Sequence, residues 1–415
     1  SYGAMSLTGS SGAGYIGLRV INSGTITSVG AMTFNGTSSG SNWGIYVDSS
    51  RVIQSTTGNI SMTASGGSGG MYLNGSIVAS NDTTNPTTAT PSSGGTLTLN
   101  VTSSGGVQYG FQMPAGSLIS YGAMSITSSV ASGGYQSIYI YGSGTIKSVG
   151  NMTLNGNAYG QNWAIYLDSS RILQSTAGNI SVTATASTAH GIYINGGGLV
   201  AGNDTTTPTA GGTITINSTS GANNTSGAAL RLDASGTKII AYGDISIYAN
   251  GAAAGLNTAN QQGYGVWLTN TSQVIRSFNG ALSITGYANA VGGALAAAGI
   301  ALYDGSDLLR AKGNLTLNGV AMPGIGLYLT VYNGSGGGIT SDTGNIVMNA
   351  LNNSTWSAIY NRLAITATLG SVTISGAGSG QNGDGGFKQD SSYGSISAYS
   401  DINIIGYSTG GHGVQ

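Results

Sequence analysis

Twelve aspartates, two histidines and no cysteine limit the chemistry open to this 415-residue chain. Glycoside hydrolysis generally needs two carboxylates held a fixed distance apart. The nearest pairs in sequence are Asp304 with Asp307 and Asp384 with Asp390, and both lie beside Gly-rich turns, where Asp commonly serves as a turn residue. No catalytic residue is assigned, and the chain is read as a non-enzyme. His190 and His412, with no Cys, cannot form a zinc cluster. The stretch from Gly378 to Gly386 is single and lacks the tandem nonapeptide of a calcium β-roll. With no phosphate loop or dinucleotide fingerprint either, neither metal nor cofactor is expected.

Contact chemistry is better represented. Tyr46, Tyr72, Tyr139, Tyr166, Tyr193, Trp267, Tyr328 and Tyr360 recur at one position of a short motif, as in Ile45-Tyr46-Val47 and Ile192-Tyr193-Ile194. Arg19, Gln112, Arg231, Ala301 and Lys388 occupy the same position in other copies. Period-two alternation turns the flanking aliphatics inward and the middle residue outward. The aromatics therefore form an external stripe. It is read first as a cross-strand ladder that stabilises a sheet, and second as a contact face, since Tyr combines a flat apolar surface with a hydroxyl.

The elements that carry this stripe repeat. Residues 42–65 read NWGIYVDSSRVIQSTTGNISMTAS and residues 162–185 read NWAIYLDSSRILQSTAGNISVTAT, so one block returns after about 120 positions. A shorter unit, Gly-x-apolar-Ser/Thr-apolar, occurs fourteen times. Its first apolar residues are Met5, Met32, Ile60, Leu97, Met124, Met152, Ile180, Ile214, Ile245, Leu282, Leu315, Ile346, Val372 and Ile402. Two positions earlier stands Gly in every unit but the last, which has Ser400. This column is read as a backbone corner where Gly supplies positive φ.

Two further short strands per unit give coils with three faces. The expected fold is all-β: a single parallel β-helix, a solenoid of about fourteen coils of three short strands, running as one continuous segment over 1–415. Small residues such as Ser28, Ser148, Ala311 and Ala398 should sit near its corners. Surface loops are expected near 81–94, 203–210 and 249–264. The final His412-Gly413-Val414-Gln415 matches the start of the coil at His190, and an open terminal coil is a bare sheet edge, so the polypeptide is expected to continue beyond both ends.

A second outward column carries Ser6, Thr33, Ser61, Thr98, Ser125, Thr153, Ser181, Thr215, Ser246, Ser283, Thr316 and Thr373, often followed two residues later by Thr or Asn. Such hydroxyl arrays resemble those of ice-binding solenoids. Because the columns are mixed and loops interrupt the spacing, β-propensity with solubility is the expected explanation.

Composition narrows the partners. Charged residues make up 6% and the formal net charge is -1, which gives no electrostatic case for nucleic acid or an anionic membrane. No apolar run approaches the roughly 18 residues of a membrane-spanning helix. Asn-X-Ser/Thr formulae at Asn59, Asn151 and Asn314 are attributed to chance in a chain this rich in Asn, Ser and Thr.

Gly411-His412-Gly413 resembles a short motif of the polygalacturonases, but the Asn-Thr-Asp, Asp-Asp and Arg-Ile-Lys segments that accompany it there are missing. The recurring Gly-Asn-Ile-Ser-Met, Gly-Asn-Met-Thr-Leu, Gly-Asn-Ile-Ser-Val and Gly-Asn-Leu-Thr-Leu units resemble the repeats of filamentous-haemagglutinin-like exoproteins of two-partner secretion systems and of autotransporter adhesins. That resemblance spans nearly the whole chain and implies a right-handed β-helical rod, secreted or at the surface of a Gram-negative cell. It would contact glycans, other cells or matrix polysaccharide. The alternatives are a structural subunit whose rods self-associate into a filament or sheath and, behind it, a carbohydrate-active enzyme.

Overall fold

Among the described residues of the computed structural model every regular element is a strand, and every strand pairs in parallel within one of three sheets of fourteen, thirteen and thirteen strands. The structure describes residues 1–12, 14–81, 93–105, 109–131, 133–160, 163–187, 190–221, 226–252, 262–269, 272–289, 297–303, 308–322, 324–330, 337–353, 356–379, 385–390 and 394–415. Each coil contributes one strand to each sheet, which makes the fold a parallel β-helix. The fourteen strands of sheet A begin at the fourteen apolar residues of the Gly-x-apolar unit, from Met5 to Ile402. Sheet B carries the Tyr triplets and sheet C the strands that end at the small corner residues.

Contacts divide the chain into two compact units, Ser1–Ala186 with Gly197–Thr213, and Ser187–Gly196 with Ile214–Gln415. In the first unit sheet A is built from seven-residue strands such as Leu97–Ser103 and Met124–Val130, whose alternate residues are buried. Met32, Phe34, Ile60, Met62, Leu97 and Leu99 form that inner face at 1% exposure or less. Full burial of such a side chain is worth about 1.5–3 kcal/mol, and no single coil could supply it alone. The second unit repeats the scheme with Ile214, Ile245, Leu282, Leu315, Ile346 and Val372.

The glycine corner has a different cause from the one expected. Gly58, Gly178 and Gly344 do not have positive φ. Instead a Cβ on each would lie 2.4 Å from backbone atoms of the coil beneath. Close approach of stacked backbones, not left-handed geometry, demands Gly there. The next residue completes the corner: the Asn59 Oδ1 accepts the Thr96 N–H at 2.8 Å, and Asn151, Asn179, Asn314 and Asn345 do the same one coil on at 2.9 Å. These bonds satisfy backbone donors that no strand reaches. Asn59, Asn151 and Asn314 therefore have a structural task in the Gly-Asn units.

Buried serines close the corner from inside. Ser28, Ser55 and Ser148 are fully buried and donate to the carbonyls of Gly3, Gly30 and Gly150 at 2.6–2.8 Å. Ser277 and Ser341 repeat this in the second unit, where Ala311 is also buried, while Ala398 is only partly covered.

Residues 203–210 form a turn whose neck is closed by the Asn203 N–H on the Ala210 carbonyl at 2.9 Å. Asn81 donates in the same way to Ser93 at 3.0 Å, while 82–92 lie outside the described residues. The expected loop over 249–264 is narrower than its bounds: strands Ile245–Ala252 and Gln262–Leu268 take up both flanks, Tyr264 is fully buried, and 253–261 lie outside the described residues.

Candidate functional site: the aromatic stripe

The stripe residues occupy one register column in each unit. In the first, Arg19, Tyr46, Tyr72, Gln112, Tyr139 and Tyr166 are successive Cα partners along sheet B. In the second the column reads Tyr193, Arg231, Trp267, Ala301, Tyr328, Tyr360 and Lys388. All eight aromatics named from the sequence are half-buried.

Their rings stack. Tyr46 and Tyr72 lie 4.8 Å apart with planes 7° from parallel, Tyr139 and Tyr166 lie 5.0 Å apart at 9°, and Tyr328 and Tyr360 lie 5.6 Å apart at 19°. Stacking at strand spacing stabilises the sheet directly. It also covers ring faces with one another, so a ligand meets ring edges and phenol groups. Burial, followed by the nearby Tyr166 and Asp168, raises the Tyr139 phenol well above the usual range; burial likewise raises Tyr72 and Tyr360.

Where the column carries a cation, the rings hold it. The Arg231 guanidinium lies between Tyr193 and Trp267, 5.0 and 4.4 Å from their ring centres. Its Nη2 donates to Asp233 Oδ2 at 2.7 Å, and the Tyr193 phenol donates to the same oxygen at 2.9 Å. Burial alone would raise Asp233; hydrogen bonds from Thr269, Ala234 and Tyr193, together with Arg231, outweigh it and hold the carboxyl below the usual range. His190 lies beside Tyr193, its rings' centres 5.7 Å apart. It is 6% exposed, and its Nδ1 accepts the Ala228 N–H at 2.8 Å.

Sequence reasoning missed the aromatics that flank the stripe. Trp43 and Trp163 pack against Tyr72 and Tyr166 at 5.5 and 4.4 Å, Tyr109 and Tyr141 both stack on Tyr139, and Tyr264 stacks on Trp267 at 4.5 Å. Tyr303 bonds Tyr264 hydroxyl to hydroxyl at 2.9 Å and leans on Tyr328. The available signal was a spacing of three: Trp43, Trp163 and Tyr264 each precede a stripe residue by three positions. Strict alternation hides it, because Gly44 and Ile45 are consecutive buried residues.

Of the two carboxylate pairs named from the sequence, only Asp390 lies among the described residues. Asp304, Asp307 and Asp384 lie outside the described residues. Asp390 accepts from Arg362 Nη2 at 2.6 Å and from the Tyr360 phenol at 3.3 Å, which ties it to the ladder. Among the described residues no three His, Asp or Glu side chains gather as metal ligands. An open groove of about 400 Å³ runs along the corner lined by Gly144, Thr145, Ser170, Arg171, Gln174 and Thr205. Arg171 does not offer its charge there: it is 2% exposed and donates to the carbonyls of Gly116, Gly142 and Ser143.

The outward face of sheet A is as regular as the stripe. In the first unit Ser6, Thr33, Ser61, Thr98, Ser125, Thr153 and Ser181 are successive partners without a break. Two residues on, Thr8, Asn35, Thr63, Asn100, Thr127, Asn155 and Thr183 form a second column, and the third runs Ser10, Thr37, Ser65, Thr102, Ser129, Asn157 and Thr185. The loops expected to interrupt this spacing leave it intact, since they leave the coil at its corners. In the second unit Tyr248, Tyr287, Val320, Val347 and Leu351 enter the corresponding columns.

The fold thus places the chain among parallel β-helix repeat proteins. Comparison with known protein families, with curated proteins and with solved structures finds no match. No described helix is long and apolar enough to cross a membrane.

Proposed function

We propose that this chain is the β-helical shaft of an extracellular bacterial adhesin, secreted or held at the cell surface, that contacts glycans or matrix components through the aromatic stripe. The observation that supports this most is the register of the stripe: half-buried Tyr and Trp recur along sheet B, clamped by Arg231 and by Arg362 with Asp390. Stacking fixes the rings, so little side-chain entropy remains to be lost on binding. Repeated weak contacts along one face add by avidity, which suits adhesion to a polymer better than capture of a small molecule. The resemblance of the Gly-Asn repeats to filamentous-haemagglutinin-like exoproteins points the same way.

The test is binding of the 415-residue protein to a panel of neutral and acidic polysaccharides, compared with a Tyr46→Ser, Tyr72→Ser, Tyr139→Ser variant whose circular dichroism is unchanged. Adhesion predicts saturable binding that the variant loses. Ordered fibres in electron micrographs, with no polysaccharide bound, would make self-assembly the function. Release of reducing ends from any polysaccharide would overturn the non-enzymatic reading.

A further inference from the structure

We propose that the outer face of sheet A in the first unit binds crystalline water, the surface of ice. The face is separate from the aromatic stripe and made of three in-register columns over seven coils. Every outward side chain in it is Ser, Thr or Asn; none is charged and none aromatic. All are half-buried or exposed, and from Met32 to Ala186 every inward neighbour is buried, so the array rests on a packed core. Strands about 4.8 Å apart, with outward residues about 6.6 Å apart along each, make a grid of roughly 29 by 13 Å.

The order inside the grid goes beyond polarity. The first column alternates Ser and Thr through all seven coils, from Ser6 to Ser181, and the second alternates Thr and Asn, from Thr8 to Thr183. Solubility alone would accept Lys or Asp at any of these sites in any order. Strand geometry limits the rotamers of Thr, and both hydroxyl and carboxamide donate and accept hydrogen bonds as water does.

Charge complementarity selects the occupant. An ionic ligand finds no counter-charge on the grid, and a sugar ring finds no aromatic surface within its three columns; exposed Tyr159 stands beyond them, just past the end of strand Met152–Ala158. An uncharged lattice of donors and acceptors fits. Water already held in a crystal loses little further freedom when it bridges to protein, and many weak contacts made at once give useful affinity. The second unit, with Tyr248, Tyr287, Val320 and Leu351 in its columns, lacks such a grid.

Partition of the 415-residue protein into a slowly growing ice front, beside inhibition of ice recrystallisation, tests this. Enrichment at least about tenfold over serum albumin is expected, as a multi-row contact implies. A Thr98→Lys, Ser125→Lys, Thr153→Lys variant with unchanged circular dichroism and melting should fall back to the albumin value, while Tyr46→Ser should not. Exclusion of the native protein from ice overturns the proposal, as does equal partition of native protein and Lys variant. Retention on microcrystalline cellulose with exclusion from ice would reassign the face to a carbohydrate lattice.

Discussion

Gly178 rests on Gly150: a methyl group at Gly178 would lie 2.4 Å from the Gly150 carbonyl carbon. The stacked backbones leave no room for even the smallest side chain, and backbone cannot rotate aside as a flexible side chain can. Gly178→Ala should destabilise by about 1–3 kcal/mol, as overpacking does, despite the loss of unfolded-state entropy that favours Ala. Gly12→Ala, where a Cβ meets nothing within 4 Å, should stay within about 0.5 kcal/mol of the native protein. Urea midpoints at constant m-value measure both. Equal midpoints would mean that the coils can separate at no cost.

Much of this architecture is legible in the residues themselves. The fourteen Gly-x-apolar units mark the fourteen starts of sheet A, from Met5 to Ile402, because a buried aliphatic at a corner and a Gly beneath the next coil are both local demands. The stripe is legible because Tyr46 and its counterparts sit between inward aliphatics. Contacts between coils are less legible. Nothing near Gly58 indicates that Gly30 lies beneath it, and a recurrent Gly at a corner reads equally as a positive-φ position until the coils are stacked. Trp43 escaped notice because the buried pair Gly44–Ile45 shifts the alternation. The unbroken hydroxyl columns were hidden by loops that Asn81 and Asn203 close at their necks, outside the ladder.

Arg171 staples three successive turns. It donates to Gly116 at 3.2 Å, Gly142 at 3.3 Å and Ser143, and burial lowers its guanidinium to about 10. Arg171→Met should cost about 2–3 kcal/mol, because it removes the donor from three part-buried carbonyls. Arg171→Lys should recover only part of this, lacking the planar fork. Arg51, the counterpart in the near-copy block, donates among the described residues to one carbonyl, that of Ile21, so Arg51→Met should cost about 1–2 kcal/mol. Equilibrium unfolding of the three variants ranks them; an equal loss at Arg51 and Arg171 would contradict the staple.

Tyr264 is fully buried with its hydroxyl on that of Tyr303, and burial, then the Tyr303 phenol, raises its pKa far above the usual phenol range. The unfolded chain ionises this phenol near about pH 10 while the folded chain does not. Above that pH the unfolded state releases the proton first, so stability falls as pH rises. Tyr264→Phe should flatten the alkaline loss while costing about 1 kcal/mol at neutral pH from the missing hydrogen bond. Tyrosinate absorbance followed together with circular dichroism checks it: the buried class should ionise only as the structure melts.

His190 supplies the opposite slope on the acid side. Burial, then the Arg231 charge, pushes its imidazole down to about 4, against smaller contributions from Ala228 and Asp233. Nδ1 lies 3.3 Å from the Ala228 carbonyl, but the shorter 2.8 Å contact with the Ala228 N–H makes it an acceptor, which requires the neutral ring. Between about pH 6.5 and 4 the unfolded chain holds a proton that the folded chain refuses, so stability is lost as pH falls through that window. The full effect of a shift from 6.5 to about 4 is about 3 kcal/mol. His190→Asn keeps an acceptor for Ala228 and removes the titration. Urea unfolding at pH 7 and pH 4.5 should therefore show a smaller drop in the variant than in the native protein. The same drop in both would mean that His190 takes up its proton without leaving its site.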